Sequence, residues 1–282
     1  MRGSGPRFVV GTGLALWLIA AVAAGAAQAA GAAWAAPAAT PSASPAAKPP
    51  GDTPWPLEPP PPPAPTWKTV GYSVRGRPIK VIVFGDGPRR LLIIAGTHGN
   101  ESGPPVATAF VRWLLRHPGA VPDDAQIHII RCQNPDGRAA WTRGNARRVD
   151  LNRNYPASTW TRRLDPRDPS AWMGLWGGSR PGSEPETRTV LRYLRRQGFD
   201  RLVTLHSRAG LLDWNGPGGK RLAWRMSRLC GLPLGHLSYQ PYIHGSLGQF
   251  FPERYGKATV TVELLSGTLT RGLRRALLAA AR

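Results

Sequence analysis

Residues 91–101 read LLIIAGTHGNE, five apolar residues followed at once by a short polar segment that contains His98 and Glu101. The run Leu91–Ala95 is typical of a short strand that is buried on both faces, as in a parallel sheet. Ligands of such sheets bind at the carboxyl ends of the strands. The sequence therefore predicts a functional site directly after this strand.

Apolar runs along the rest of the chain alternate between strand and helix patterns. Four more runs predict strands: Lys80–Phe84, Ile127–Arg131, Leu202–Leu205 and Ala258–Leu265. Helices are predicted at Pro105–Arg116, after a capping box at Ser183–Glu186, at Arg221–Leu229 and at Leu273–Ala281. This alternation predicts an α/β fold, a mixed, mostly parallel twisted sheet with helices on both faces.

Three side chains at predicted strand ends form a candidate metal site. His98 and Glu101 follow the first strand with a spacing of three residues, and His206 directly follows Leu202–Leu205. Taken singly, each is a loop residue or a hydrogen-bonded core histidine. Together, two imidazoles and one carboxylate suit zinc and leave a fourth position open for water. The set predicts one catalytic Zn²⁺ per chain.

Glu263 lies near the end of the alternating segment TVTVEL, residues 259–264. Thr261 and Glu263 face one side of this strand, and Val260, Val262 and Leu264 face the other. On an edge strand Glu263 would meet water. In a central strand it would be a costly buried carboxylate, retained with a partner or a catalytic role.

The N-terminal part of the chain predicts export. Residues 1–36 contain Arg2 and Arg7, the apolar run Phe8–Ala27 and small-residue cleavage patterns, which are typical of a signal peptide. An uncleaved membrane anchor is the alternative. Residues 37–66 are rich in Pro, Ala and Ser and predict an extended linker, and residues 67–282 are the predicted catalytic domain. We therefore expect a periplasmic or extracellular protein.

The charge is strongly basic. Lys and Arg number 37 against 16 Asp and Glu, a formal net charge of +21, which favours polyanionic partners such as an anionic cell-envelope polymer. The arginines are scattered and no nucleic-acid-binding motif is present, so we expect no nucleic-acid partner. Cys132 and Cys230 could pair outside the cytoplasm, but their spacing does not decide this. The oligomeric state is also left open.

Further motifs follow one another in a fixed order between residues 67 and 267. They are Gly71-Tyr72-Ser73, Gly76–Ile79, His98–Glu101, Asn134–Gly137, Arg143–Asn145, Val149–Asn154, Ser183–Thr187, Leu205–Ser207 and Glu263. In this order they resemble the zinc carboxypeptidases of the carboxypeptidase A superfamily, the M14 peptidases. Within that family the chain looks most like the small bacterial branch of murein peptide amidases.

The resemblance implies a role for each residue of the site. It makes His98, Glu101 and His206 the zinc ligands, Glu263 the general base, Arg143 the oxyanion stabiliser, and Asn152 and Arg153 the residues that bind a substrate carboxylate. Digestive members of the family have a tyrosine that closes over the substrate. The region Tyr239–Gly248 departs from their pattern, and Tyr242 or His244 could take this place; we predict Tyr242 as a substrate-binding residue.

The resulting functional prediction is zinc-dependent hydrolysis of an amide bond in cell-wall peptides, namely the γ-D-glutamyl–diaminopimelate bond of a peptidoglycan stem peptide. One alternative is a general metallocarboxypeptidase acting on exported peptides. A second is a deacylase similar to succinylglutamate desuccinylase or aspartoacylase. A third is a catalytically silent wall-binding module, which the complete ligand set with Glu263 argues against.

Overall fold

The central sheet has seven strands in the part of the chain that the computed structural model describes, residues 64–237 and 240–282. They are β1 (Lys68–Tyr72), β2 (Pro78–Phe84), β3 (Arg89–Ala95), β4 (Ala125–Ile130), β5 (Arg201–Ser207), β6 (Leu212–Asn215) and β7 (Ala258–Leu264). Their order across the sheet is β1-β2-β4-β3-β5-β7-β6. The four central strands β4, β3, β5 and β7 are parallel, whereas β1, β2 and β6 pair antiparallel.

Helices cover both faces of this sheet. They are α1 (Gly103–Arg116), α2 (Pro135–Ala140), α3 (Pro169–Trp172), α4 (Pro185–Gln197), α5 (Gly219–Cys230), α6 (Leu247–Tyr255) and α7 (Arg271–Ala279). Leu91 and Ile93 of β3 belong to an apolar layer that includes α1, α5 and α7. The alternate residues Leu92 and Ile94 pack in a second layer with α4 and α6. The predicted fold class is therefore confirmed, including a strand β3 that is buried on both faces.

Some local predictions are wrong. Helix α4 begins with Pro185 at its first position as expected, but its N-cap is Glu184 and no side-chain cap bond forms. Instead Ser183 Oγ donates to Glu184 Oε1 and accepts from Asn154 Nδ2. A capping box is present elsewhere, where Ser246 and Gln249 begin α6. Strands β1 and β6 and helix α6 are not predicted by the apolar patterns.

Other predictions concern parts of the chain that the structure leaves open. The signal peptide at 1–36 and most of the linker at 37–66 lie outside the described residues. Within the described ranges, no helix combines the length and the apolar character needed to cross a membrane.

Cys132 and Cys230 are both free thiols. Burial raises the pKa of the Cys132 thiol to about 11, so this thiol is largely protonated near neutral pH.

Candidate active site

The carboxyl ends of β3, β5 and β7 bring the predicted ligands together. His98 and Glu101 lie in the loop between β3 and α1, and His206 is the penultimate residue of β5. Glu263 of β7 is directly opposite His206 in the parallel register. All four side chains are buried and line one cavity. The sheet topology thus joins residues that are far apart in the sequence.

The three predicted ligands point their donor atoms at one another, with spacings slightly shorter than those around a bound zinc ion. Nδ1 of His98 and Nδ1 of His206 lie 3.2 Å apart. Glu101 Oε1 lies 2.7 Å from His98 Nδ1, and Glu101 Oε2 lies 2.9 Å from His206 Nδ1. Tetrahedral zinc with bonds of about 2.0–2.1 Å places its ligand atoms roughly 3.3–3.4 Å apart. In the described part of the chain, this is the one group of His, Cys, Asp or Glu residues that could hold a metal ion.

Asp150 holds the first histidine in place. This fully buried carboxylate lies 2.9 Å from His98 Nε2, on the side of the ring away from the candidate metal position. Burial alone would raise the pKa of Asp150, but His98 and Arg143 lower it well below its usual range. A carboxylate on the second nitrogen of a ligating histidine fixes its orientation and makes it a better ligand.

Glu263 is a buried carboxylate near the ligand set. Because β7 lies between β5 and β6, it is an inner strand, and Glu263 is only 6% exposed. Burial raises the pKa of its carboxyl group, His206 opposes this, and the negative charge of Glu101 adds to the rise. A carboxylate with an increased proton affinity suits a general base.

Arg143 connects the candidate ligand Glu101 to Asp150. Its Nη1 donates to Glu101 Oε1 at 3.2 Å, and its Nε lies 3.1 Å from Asp150 Oδ2 and 3.0 Å from Ser170 Oγ. The side chain is 18% exposed and lines the cavity. The guanidinium is therefore fixed beside the candidate metal position, where it could stabilise negative charge.

Asn152 and Arg153 also line the cavity, but Arg153 has a structural partner that was not predicted. Its Nε and Nη2 form a bidentate ion pair with the buried Asp168, at 2.5 and 3.0 Å. Nη1 donates to the carbonyl oxygen of Asn152 at 2.9 Å. These bonds use three of the five N–H donors of the guanidinium. The two remaining donors, on Nη1 and Nη2, are those that could bind a substrate carboxylate.

Tyr242 is the predicted residue that the structure does not bring to the site. It is absent from the cavity lining, and the guanidinium of Arg167 lies 4.0 Å from the centre of its ring. The short 3₁₀ turn Gln240–Tyr242 directs Gln240 toward the cavity instead. The motif spacing located this loop but gave no information on which of its side chains faces inward.

Two aspartates in the cavity region had no predicted role. Asp150 is the N-cap of the short turn Leu151–Arg153, and its place in the motif Val149–Asn154 was the available signal. Asp213 of β6 lines the cavity from the edge of the sheet, and nothing in its short strand marked it.

Comparison with known families identifies this arrangement. The sequence profile of the zinc carboxypeptidases matches residues 62–216. The chain belongs to this family. The predicted enzyme class, a zinc metallopeptidase, is thereby confirmed, and the two-histidine, one-glutamate set is consistent with the zinc dependence of the family.

Individual zinc carboxypeptidase relatives include murein peptide amidase A. The chain is 31% identical to that of Vibrio campbellii over 214 residues, which cover 72% of this chain and 81% of the relative. Identity to the Escherichia coli (strain K12) protein is 35% over 120 residues, which cover 41% of this chain and about half, 48%, of the relative.

Solved structures support the same family assignment. The murein-tripeptide amidase of Escherichia coli O157 superimposes with a TM-score of 0.58 at 26% identity, covering 76% of this chain and 89% of that one. Bovine thrombin-activatable fibrinolysis inhibitor reaches a TM-score of 0.62 at 20% identity, covering 77% of this chain and 88% of that one, which shows the shared fold alone.

Proposed function

We propose that this zinc carboxypeptidase family member is a murein peptide amidase that hydrolyses the γ-D-glutamyl–diaminopimelate bond of peptidoglycan stem peptides. The main support is the cavity in which His98, Glu101 and His206 meet Glu263, in a chain whose similarity to a murein peptide amidase covers 81% of that relative. We further propose that the three ligands hold one zinc ion per chain.

The residues of the cavity fit the steps of amide hydrolysis. Zinc, when bound, polarises the scissile carbonyl and makes water more acidic. Glu263 takes the proton from the attacking water and delivers it to the leaving amine. Arg143, fixed by Asp150 and Ser170, stabilises the charge that develops on the carbonyl oxygen. Asn152 and the remaining donors of Arg153 bind the carboxylate beside the scissile bond.

The decisive experiment uses two tripeptides that differ in one linkage. Purified protein is incubated with L-Ala-γ-D-Glu-diaminopimelate and with the α-linked isomer, and the products are identified by mass spectrometry. We expect zinc-dependent release of diaminopimelate from the γ-linked peptide. Cleavage of the α-linked peptide alone would favour a general carboxypeptidase, and zinc-loaded protein that cleaves neither peptide would reject the proposal. Release of an acyl group from N-acyl amino acids would favour a deacylase.

The proposed location is outside the cytoplasm. The N-terminal pattern in residues 1–36 and the proline-rich linker support export of the catalytic domain. Cell fractionation of a C-terminally tagged chain, with mass determination of its N-terminus, checks this. Recovery from the cytoplasm with residues 1–36 intact would contradict it.

A further inference from the structure

A basic groove adjoins the loop that carries His98 and Glu101. It has a volume of about 760 Å³ and is formed by the start of β2, the first turns of α1, the residues directly after β4, and α2. Arg138 connects the groove to the loop, because its Nη1 donates to the carbonyl oxygens of Gly99 and Glu101, both at 3.3 Å. The groove and the active-site cavity have no lining residue in common. A ligand in the groove therefore leaves the cavity free.

Positive charge is concentrated in this groove. Four cationic side chains line it, and the described residues contribute no aspartate or glutamate to its walls. The four are Lys80, Arg112, Arg131 and Arg138. Arg77, Arg89 and Arg153 elsewhere in the fold pair with carboxylates, whereas none of these four has such a partner within residues 64–237 and 240–282. A cleft lined by one sign of charge focuses its field and attracts polyanions.

The surface between these cations is rigid and apolar. Four proline rings line the groove together with Trp67, which is 36% exposed. The prolines are Pro78, Pro104, Pro105 and Pro135. A proline ring has a fixed conformation, and tryptophan offers a large flat face, so both can contact a ligand with little loss of conformational entropy. The C–H faces of sugar rings fit such a surface.

A nucleic acid fits the groove less well than a charged sugar polymer. Single-stranded nucleic acids bind through several exposed aromatic rings on which successive bases stack. Trp67 is the one aromatic side chain that the described residues contribute to the groove. The guanidinium of Arg131 already lies 5.7 Å from the centre of its ring.

We propose that this groove binds an acidic polysaccharide. The carboxylates of the polymer pair with the four cations, and its sugar rings pack on the prolines and Trp67. The groove holds the enzyme on the polymer while the active-site cavity remains open to a peptide, which raises the local concentration of peptides attached to that polymer. The binding itself does not depend on the proposed function, because the two sites share no lining residue.

The first test separates the groove from the overall charge. The Kd of the full chain for polygalacturonate is measured by calorimetry at about 0.15 M salt, where distant charges are screened. Two triple variants, each lacking three positive charges, are compared with the wild type. The groove variant is Lys80→Gln, Arg112→Gln and Arg131→Gln, and Arg138 is kept because it bonds the loop of Glu101. The control variant changes exposed cations of α4, α5 and α6, with Arg195→Gln, Lys220→Gln and Arg254→Gln.

We expect the groove variant to raise this Kd at least about tenfold, since three ion pairs are lost, and the control variant to raise it by less than about threefold. Equal losses in the two variants would overturn the proposal, because net charge alone would then explain the binding. A wild type that does not bind polygalacturonate, or that binds neutral dextran equally well, would overturn it without any variant.

The second test identifies the kind of polyanion. Trp67→Ala removes apolar surface from the groove and leaves its charges in place. It should raise the Kd for polygalacturonate at least about threefold and leave the Kd for polyphosphate, which has no sugar rings, unchanged. Equal effects on both polymers would reject the polysaccharide as the ligand. A greater loss of affinity for single-stranded DNA than for polygalacturonate in the groove variant would assign the groove to nucleic acid instead.

Discussion

At the scale of single residues, Asp150 has the most connections in the site. It accepts hydrogen bonds from the Ser170 hydroxyl at 2.6 Å and from the backbone N–H of Asn152 at 2.8 Å, in addition to its contacts with His98 and Arg143. One carboxylate therefore orients a candidate metal ligand, the candidate oxyanion residue and the turn that carries Asn152. Replacing Asp150 should therefore weaken both zinc binding and substrate binding.

The first prediction follows from this position. Asp150→Asn should weaken zinc binding by about 10- to 100-fold, the usual effect of losing the carboxylate behind a ligating histidine. Competition with a fluorescent chelator measures the affinity. Asp86→Asn, on an exposed loop, is the control and should bind zinc like the wild type. Wild-type affinity in Asp150→Asn would limit Asp150 to a structural role.

A second prediction separates catalysis from metal binding. Glu263→Gln preserves the shape of the side chain but cannot accept a proton from water. We expect kcat to fall by about two to four orders of magnitude, the contribution of a positioned acid–base group. Zinc content and kcat are measured on the same folded sample. A nearly unchanged kcat at full zinc occupancy would reject Glu263 as the base.

The third prediction concerns Arg153 and combines two effects. Arg153→Lys replaces a planar fork by a point charge, so it should raise KM for substrates with a free carboxylate. It should also lower the melting temperature, because the bidentate pair with the buried Asp168 is lost. A lower melting temperature with an unchanged KM would show that Arg153 serves the fold alone.

At the scale of elements, helix α6 links the fold to the site. Its capping box is formed by Ser246 and Gln249, and Asn152 Oδ1 accepts from the backbone N–H of Leu247 at 3.0 Å. The N-terminus of α6 is therefore bonded to the turn that carries the proposed carboxylate-binding pair. Its remaining apolar residues Phe250 and Phe251 pack in the core layer shared with α4.

The fourth prediction uses this link. Ser246→Ala should destabilise the protein by about 1 kcal/mol, as for other lost N-caps, and should also raise KM. Thr270→Ala removes the N-cap of α7, which lies in the other core layer. It should cost a similar free energy of unfolding and leave KM as in the wild type. Urea unfolding and steady-state kinetics on both variants provide the comparison, and equal KM values for the two would contradict the link.

Elements differ in how far the sequence determines them. The strands β3, β4, β5 and β7 are predicted well because each contains several apolar or β-branched residues, as burial inside the sheet requires, and in β3 this apolar run is continuous from Leu91 to Ala95. Strand β6 has four residues, two of them polar, and it becomes a strand through pairing with β7. Helix α6 contains Pro252, and its second residue is Gly248, so its intrinsic helix propensity is low.

The residues of the site also differ in how far the sequence predicts them. His98 and Glu101 follow β3, whereas His206 and Glu263 are the penultimate residues of β5 and β7. A parallel sheet brings such positions together at one edge. Asp168 and Asp213 act through contacts with residues distant in the chain, which spacing does not reveal. The capping box predicted at Ser183 fails for this reason, since Asn154 and Glu184 engage its hydroxyl.

At the scale of the whole molecule, the two apolar layers are separate from the candidate metal ligands. The layers lie on the two faces of the sheet, whereas His98, Glu101 and His206 lie at the carboxyl ends of β3 and β5. The core is therefore complete without an ion, and we expect the metal-free chain to remain folded with reduced stability.

The fifth prediction tests this independence. Removing zinc with a chelator should lower the melting temperature by about 5–10 °C, the shift expected when a ligand present at about 100 times its Kd is lost from a domain of this size. Calorimetry and far-ultraviolet circular dichroism measure the two properties, and the secondary structure should persist. His206→Ala should melt at the same temperature with and without chelator. Complete unfolding of the metal-free wild type would show that the ion is part of the core.

The position of β7 has a consequence for chain growth. Of the seven strands, β7 is synthesised last, yet it lies between β5 and β6 in the sheet. Strands β5 and β6 therefore lack the partner that pairs with both of them until residues 258–264 have been made. Pairing between strands distant in sequence is slow, and an open strand edge invites association with other chains. A product that stops before residue 258 lacks Glu263 and exposes the edge of β5. Premature termination near the C-terminus should therefore produce aggregates rather than a partly active enzyme.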